Sequence, residues 1–253
     1  MNLEEVDEQV KAIVVDRQNP PSVYAVGWTS STDFSTPQGY DTGHNREEDG
    51  FIVKLNMDLN QIQSATFLGG HGQDEITCMA LAPAVEEDND ILIVGGRTES
   101  DNFPTTEGCH DPSFGGNDKC FVGRSSYHTG DGFISFFDHD LMQLHASTFF
   151  GGERLDYVDA ILINGDDLLV SGETVSDEDF LPLMPNSEAL YSTRGYIARF
   201  NPDGGNDDDA IGGDNGDGGN DGDGGNDDGG GNEGGGDGGG GGCFIKTAIK
   251  HGR

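Results

Sequence analysis

Apolar residues in this chain come in short runs, and each run is closed by Gly, Asp, Asn or Pro. Val10-Lys11-Ala12-Ile13-Val14-Val15, Val23-Tyr24-Ala25-Val26, Ile91-Leu92-Ile93-Val94 and Val158-Asp159-Ala160-Ile161-Leu162-Ile163 are examples. The runs are rich in β-branched and aromatic residues, and none sustains a helical period, so they predict β-strands. In Phe51-Ile52-Val53-Lys54-Leu55, alternation puts Phe51, Val53 and Leu55 on one face and Ile52 with Lys54 on the other. A strand apolar on both faces belongs between two layers.

The runs recur in a fixed order. A first strand, A, reads Val10–Val15, then Ile76-Thr77-Cys78-Met79-Ala80-Leu81, then Val158–Ile163. Strand B leads each time into a glycine and a polar hook that ends in Phe: Val26-Gly27 to Phe34, Val94-Gly95-Gly96 to Phe103, and Val170-Ser171-Gly172 to Phe180. Gly27, Gly96 and Gly172 lie 69 and then 76 residues apart. Strand C is Asp49-Gly50-Phe51 to Asn56, Asp131-Gly132-Phe133 to Asp138, and Arg194-Gly195-Tyr196 to Asn201. Strand D is Ser64-Ala65-Thr66-Phe67-Leu68-Gly69-Gly70 and Ala146-Ser147-Thr148-Phe149-Phe150-Gly151-Gly152. Repetition at this period implies an array of one supersecondary unit. The units are 3–70, 71–152 and 153–203, with four, four and three strands.

These motifs, over residues 5–203, resemble SBBP repeats, a bacterial family named for a predicted seven-bladed β-propeller. The likeness is carried by Ala12-Ile13-Val14-Val15-Asp16, by Val23 to Gly27 with its Thr29-Ser30-Ser31, and by Asp101-Asn102-Phe103-Pro104-Thr105-Thr106. Asp49 to Asn56 and Thr66-Phe67-Leu68-Gly69-Gly70 add to it. The resemblance implies an all-β fold, a partial propeller of about three antiparallel four-stranded blades, the last without its outer strand. It also implies an extracellular or cell-surface setting. It supplies no catalytic residues.

Closed propellers have about four to eight blades, so three units leave sheet faces and edges open. The array begins mid-pattern near Met1, which makes a fragment of a longer product the expectation, with missing blades supplied by a parent chain or another subunit. Residues 1–7 show neither a basic nor an apolar signal region, and no stretch is apolar enough to span a membrane.

Composition breaks at Asp203. Residues 203–242 hold 21 of the 42 glycines, 12 acids and no Lys or Arg. Such a stretch cannot bury apolar surface and reads as a disordered linker, about 35 Å from end to end as a coil. Its clustered carboxylates also make calcium ligand candidates of Asp207, Asp209, Asp214, Asp217, Asp221 and Asp223. However, no strict nonapeptide period and no EF-hand loop appears. The segment 243–253 follows the glycines with Cys243-Phe244-Ile245-Lys246-Thr247-Ala248 and resembles a CFI-box C-terminal motif. Lys246 replaces the motif's alanine, and Cys243 is its candidate processing or cross-linking thiol.

The formal net charge is −34, and residues 1–200 carry 35 acids against 10 bases. That charge repels nucleic acid and anionic membranes, and it suits a saline medium. Cys78 lies in a strand and reads as a core residue. Cys109 and Cys120 flank a loop in the long B–C connection 104–130 and are a disulfide candidate if the chain is exported. Zinc held by Cys109, His110, Cys120 and His128 is the competing reading, but the spacing matches no standard zinc pattern. Asp138-His139-Asp140 falls at a C–D turn and reads as turn chemistry, and Asp33, Asp101 and Asp177 read as hook caps. Trp28 occurs once and does not repeat.

No Gly-x-Ser-x-Gly, P-loop or His-Glu-x-x-His motif occurs, so no catalytic or cofactor-binding residue is assigned. The expectation is a non-catalytic surface or secreted repeat module, structural or adhesive, with a protein or glycan ligand. The alternatives are a fragment of a propeller enzyme acting on an extracellular polymer, and a calcium-binding repeat protein.

Overall fold

The computed structural model describes residues 7–34, 36–45, 47–83, 90–116, 120–122, 126–165, 167–176 and 194–200. Those residues contain strands and no helix. Sheet 1 is β1 (Glu8–Val15), β2 (Ser22–Thr29), β3 (Asp49–Asn56) and β4 (Ile62–Leu68), in that order and antiparallel throughout. Sheet 2 is β5 (Asp74–Ala82), β6 (Ile91–Thr98), β9 (Asp131–Phe137) and β10 (Leu144–Phe150), also antiparallel. Between β6 and β9 a two-stranded hairpin, β7 (Cys120–Val122) and β8 (Ser126–His128), fills part of the long B–C connection. Sheet 3 is β11 (Ala160–Asn164), β12 (Asp167–Thr174) and β13 (Arg194–Phe200). The expected strands A to D, A to D and A to C are all present.

The sheets stack face to face, with sheet 2 between the other two. Tyr24, Val26, Ile52 and Leu68 of sheet 1 pack with Ile76, Leu92 and Phe133 of sheet 2 in one buried cluster. The opposite face of sheet 2, with Ile93, Ile134 and Phe136, packs with Val158, Leu168 and Tyr196 of the third unit. The first strands of the units lie side by side, β1 against β5 and β5 against β11. As its alternation predicts, β3 is apolar on both faces: Ile52 joins the inter-sheet cluster, while Phe51 and Val53 lie in a third cluster with Ala25 and Ala65.

The glycine of strand B repeats for a steric reason. Strand A carries a bulge between Val10 and Ala12, and again between Ile76 and Cys78. The bulge pushes a carbonyl oxygen toward strand B. A Cβ on Gly27, Gly96 or Gly172 would lie 1.7, 1.9 or 1.9 Å from the carbonyl oxygen of Gln9, Glu75 or Tyr157. Only glycine fits there.

The B–C connections also do one job twice. Residues 36–41 run along the outer edge of β4, where Ala65 N–H donates to Pro37 O (3.1 Å) and Phe67 N–H to Asp41 O (2.9 Å). Residues 106–111 run along β10 in the same way: Thr106 N–H donates to Ser147 O and Phe149 N–H to Asp111 O, both at 3.1 Å. Asp41 and Asp111 N–H also donate to Thr66 Oγ1 and Thr148 Oγ1, at 2.9 and 2.8 Å. At these positions the edge groups of both outer strands are satisfied rather than left open to another strand.

Replacing Gly96 by alanine should cost about 3 kcal/mol or more in urea unfolding, because the clash is with rigid backbone. Gly43→Ala, whose Cβ would meet nothing nearer than Asp41 Oδ1 at 3.5 Å, should change stability by less than about 0.5 kcal/mol.

Candidate functional site

The polar residues buried most deeply gather at one end of the sheets, where strands A and C begin and strand B ends. Asp74 opens β5 and is fully buried. Its Oδ2 accepts Gly70 N–H (2.7 Å) and Ser100 Oγ–H (2.8 Å), and its Oδ1 accepts the Thr98 hydroxyl. Thr98 Oγ1 in turn accepts Ser100 N–H at 2.9 Å, and Ser100 Oγ accepts Gly72 N–H at 2.8 Å. Asn102 Oδ1 accepts His71 N–H at 2.9 Å. The hook after strand B therefore clamps the Gly69-Gly70 link that joins sheet 1 to sheet 2.

The third unit repeats the clamp. Asp156 Oδ2 accepts Gly152 N–H and Ser176 Oγ–H, both at 2.8 Å. Ser176 N–H donates to Thr174 Oγ1 (3.1 Å), and Arg154 N–H donates to Ser176 Oγ (3.0 Å). The first unit has Glu8 at this register, and it is exposed. There the hook closes on itself, with Ser31 N–H on Thr29 Oγ1 at 2.9 Å and Ser31 Oγ–H on Asp33 Oδ1 at 2.5 Å.

A second buried aspartate opens strand C. Asp49 Oδ2 accepts Asn45 N–H at 2.6 Å, and Asp131 Oδ2 accepts Gly115 N–H at 2.7 Å. The two kinds of aspartate meet at the joint between sheets. A Cβ on Gly69 would lie 2.6 Å from Asp49 Oδ1 and 2.7 Å from Asp74 Oδ2, so this glycine admits both carboxyls. At the next joint Asp131 Oδ1 stands 2.6 Å from the corresponding point on Gly151, and Asp156 bears on Asp131 electrostatically. Oδ1 of Asp49, Asp131 and Asp156 has no hydrogen-bond partner among the described residues.

Burial is the main influence on these groups. It pushes Asp74 up to about 7, against donation from Thr98, Gly70 and Ser100. It pushes Asp131 to about 7 and Asp156 to about 6, and it raises Asp49. A second carboxylate nearby adds to the shift at Asp74 and Asp131. Each joint is therefore a place to hold a proton, but it is closed to solvent and offers no surface to a substrate.

The residues singled out from sequence fall elsewhere. Cys78 is buried between sheets 2 and 3, where desolvation pushes its thiol up to about 12, as a core cysteine requires. Cys109 is half-buried and free, and the side chain of its expected partner Cys120 lies outside the described residues. No group of three or more His, Cys, Asp or Glu gathers around a metal-sized space among the described residues; the side chains of Cys120 and His128, the other two members of the zinc alternative with Cys109 and His110, lie outside them.

Asp138 caps its turn, accepting Met142 N–H at 2.8 Å and Gln143 N–H at 2.7 Å. Asp140 reaches across to Lys54 Nζ of sheet 1 at 3.0 Å and sits 3.2 Å from His139 Nε2. Trp28 is half-buried, with its Nε1–H directed at Gln9 Oε1 3.3 Å away. Asp33 is a hook cap as expected, but Asp101 is exposed; Ser100 and Asn102 do the capping in that unit. Asp177, Asp207, Asp209, Asp214, Asp217, Asp221, Asp223 and Cys243 lie outside the described residues.

The carboxyls Asp49, Asp74, Asp131 and Asp156 were not singled out from sequence. The available signal was their position, two residues before an apolar run and in register between units. No known family model matches this chain, and no curated protein matches it.

Because the folded-state values lie above the unfolded one near 4, the fold binds protons that the unfolded chain releases. Their contribution is fully present below pH 4 and is lost as pH rises from about 4 to about 7. Urea unfolding should show higher stability at pH 5 than at pH 8, by roughly 1–3 kcal/mol. Asp74→Asn should flatten that slope. A slope unchanged in the variant would remove Asp74 from the account.

Proposed function

We propose that this chain is a non-catalytic repeat module of β-propeller type, structural or adhesive, working at a cell surface or outside the cell. The fold supports the propeller reading through its order: three antiparallel sheets stacked face to face, with their first strands adjacent. The single observation that carries the functional reading is where the polar chemistry goes. The buried carboxyls and hydroxyls recur in register and are taken up by the joints between sheets. What differs between units lies largely in the connections, such as the β7–β8 hairpin, with Trp28 near the end of β2 the exception on a strand. Constant strands carrying unlike loops are the pattern of a binding scaffold.

Its partner, on this reading, is a protein or glycan rather than nucleic acid, since the charge of −34 repels phosphates. No helix among the described residues is long and apolar enough to cross a membrane.

The test is an array of extracellular polysaccharides and surface proteins probed with the full chain. Saturable binding without release of new reducing ends or peptides is expected, weakened by Trp28→Ala. Turnover of any polymer by the purified chain would instead establish the enzyme alternative.

A further inference from the structure

The two end faces of the stack are the two halves of an interface that the molecule already builds twice. Strand registers align the units residue by residue. Ile52, Ile134 and Ile197 occupy one position on strand C, on the face turned toward the following sheet. Ile52 is 0% and Ile134 1% exposed, but Ile197, with no following sheet among the described residues, is 73% exposed. Leu162 is exposed on the same face, where its counterparts Val14 and Ala80 are partly covered.

The opposite end shows the converse. Val10, Ile76 and Val158 share a position on strand A turned toward the preceding sheet. Ile76 and Val158 are 0% exposed, and Val10 is 61% exposed. Ile13 and Val15 are exposed beside it. Among the described residues, sheet 3 therefore lacks a partner face of the kind that sheet 1 leaves free.

We propose that a second copy of this chain docks the Val10–Ile13–Val15 face of its sheet 1 on the Leu162–Ile197 face of sheet 3, head to tail. A charge pair supports this register. Lys54 on strand C of sheet 1 reaches Asp140 in the C–D turn of sheet 2. The residue at Lys54's position in sheet 3 is Arg199, and the residue at Asp140's position in sheet 1 is Asp58. Arg199 is half-exposed on its Asp167 partner, and Asp58 is exposed. Docking by the molecule's own rule brings Arg199 of one copy to Asp58 of the next. Such a contact is heterologous, so it propagates into a ring or an open stack rather than stopping at a symmetric dimer. The net charge of −34 opposes it, and salt relieves that repulsion.

The proposal uses the same sheet order as the propeller reading but not its ligand, so a failed array leaves the following measurement intact. The mass of the full chain is measured by light scattering up to about 0.2 mM, which detects micromolar association. Salt is set at about 0.1 M and about 2 M, to compare weak with strong screening. In high salt the wild type should exceed a dimer. Ile197→Asp and Val10→Asp, both at exposed positions, should each be folded by circular dichroism and monomeric. An equimolar mixture of the two retains one intact face of each kind and should form a dimer that grows no further. Arg199→Glu should weaken assembly at least tenfold, and adding Asp58→Arg should restore it. The proposal is overturned by a wild type that stays monomeric in high salt, by a mixture that does not dimerise, or by either single variant assembling like wild type.

Discussion

A sheet with two apolar faces cannot stand in water alone, and that constraint governs this protein. Sheet 2 buries Leu92, Phe133 and Phe149 on one side and Ile93, Ile134 and Phe136 on the other. Each buried side chain of this size contributes about 1.5–3 kcal/mol relative to exposure. The central sheet is therefore stable only because both neighbours are present. The other features serve that stacking. Gly27, Gly96 and Gly172 let bulged first strands approach their partners, and Gly69 makes room for two carboxyls where one sheet hands over to the next.

The joints between sheets are polar in an otherwise apolar stack. Backbone groups turning from an outer strand to the next inner strand must find partners in a space without water. Asp74 with Thr98 and Ser100, and Asp156 with Ser176, supply them. The cost is a carboxyl held where its charge is poorly solvated, next to another of its kind. A proton is the simplest way to lower that cost, and burial pushes Asp74 and Asp131 up to about 7.

Much of this was legible in the sequence. Strand positions followed from short apolar runs, and their order from the repeat. The mixed faces of Phe51-Ile52-Val53 implied a layer on each side; sheet 2 supplies one, while Phe51 and Val53 are covered from within the first unit, by Phe34, Ala25 and Ala65. The reason for the repeated glycine was not legible, because it lies in a carbonyl oxygen of another strand. The straps along β4 and β10 were hidden for a related cause: backbone hydrogen bonds leave little mark on side chains, and only Asp41 with Thr66, and Asp111 with Thr148, hinted at them. Asp74 and Asp156 drew no reading at all, since burial cannot be read from a residue type that prefers the surface. Asp101 misled in the opposite direction, because Ser100 beside it does the bonding.

The dependence of each sheet on its neighbours is open to direct measurement by native-state hydrogen exchange on the full chain at low concentration. The account predicts that amides of β6 and β9, covered on both faces, exchange through global unfolding, while those of β12 and β13 exchange faster by local opening of the end sheet. Equal protection of sheets 2 and 3 would contradict it.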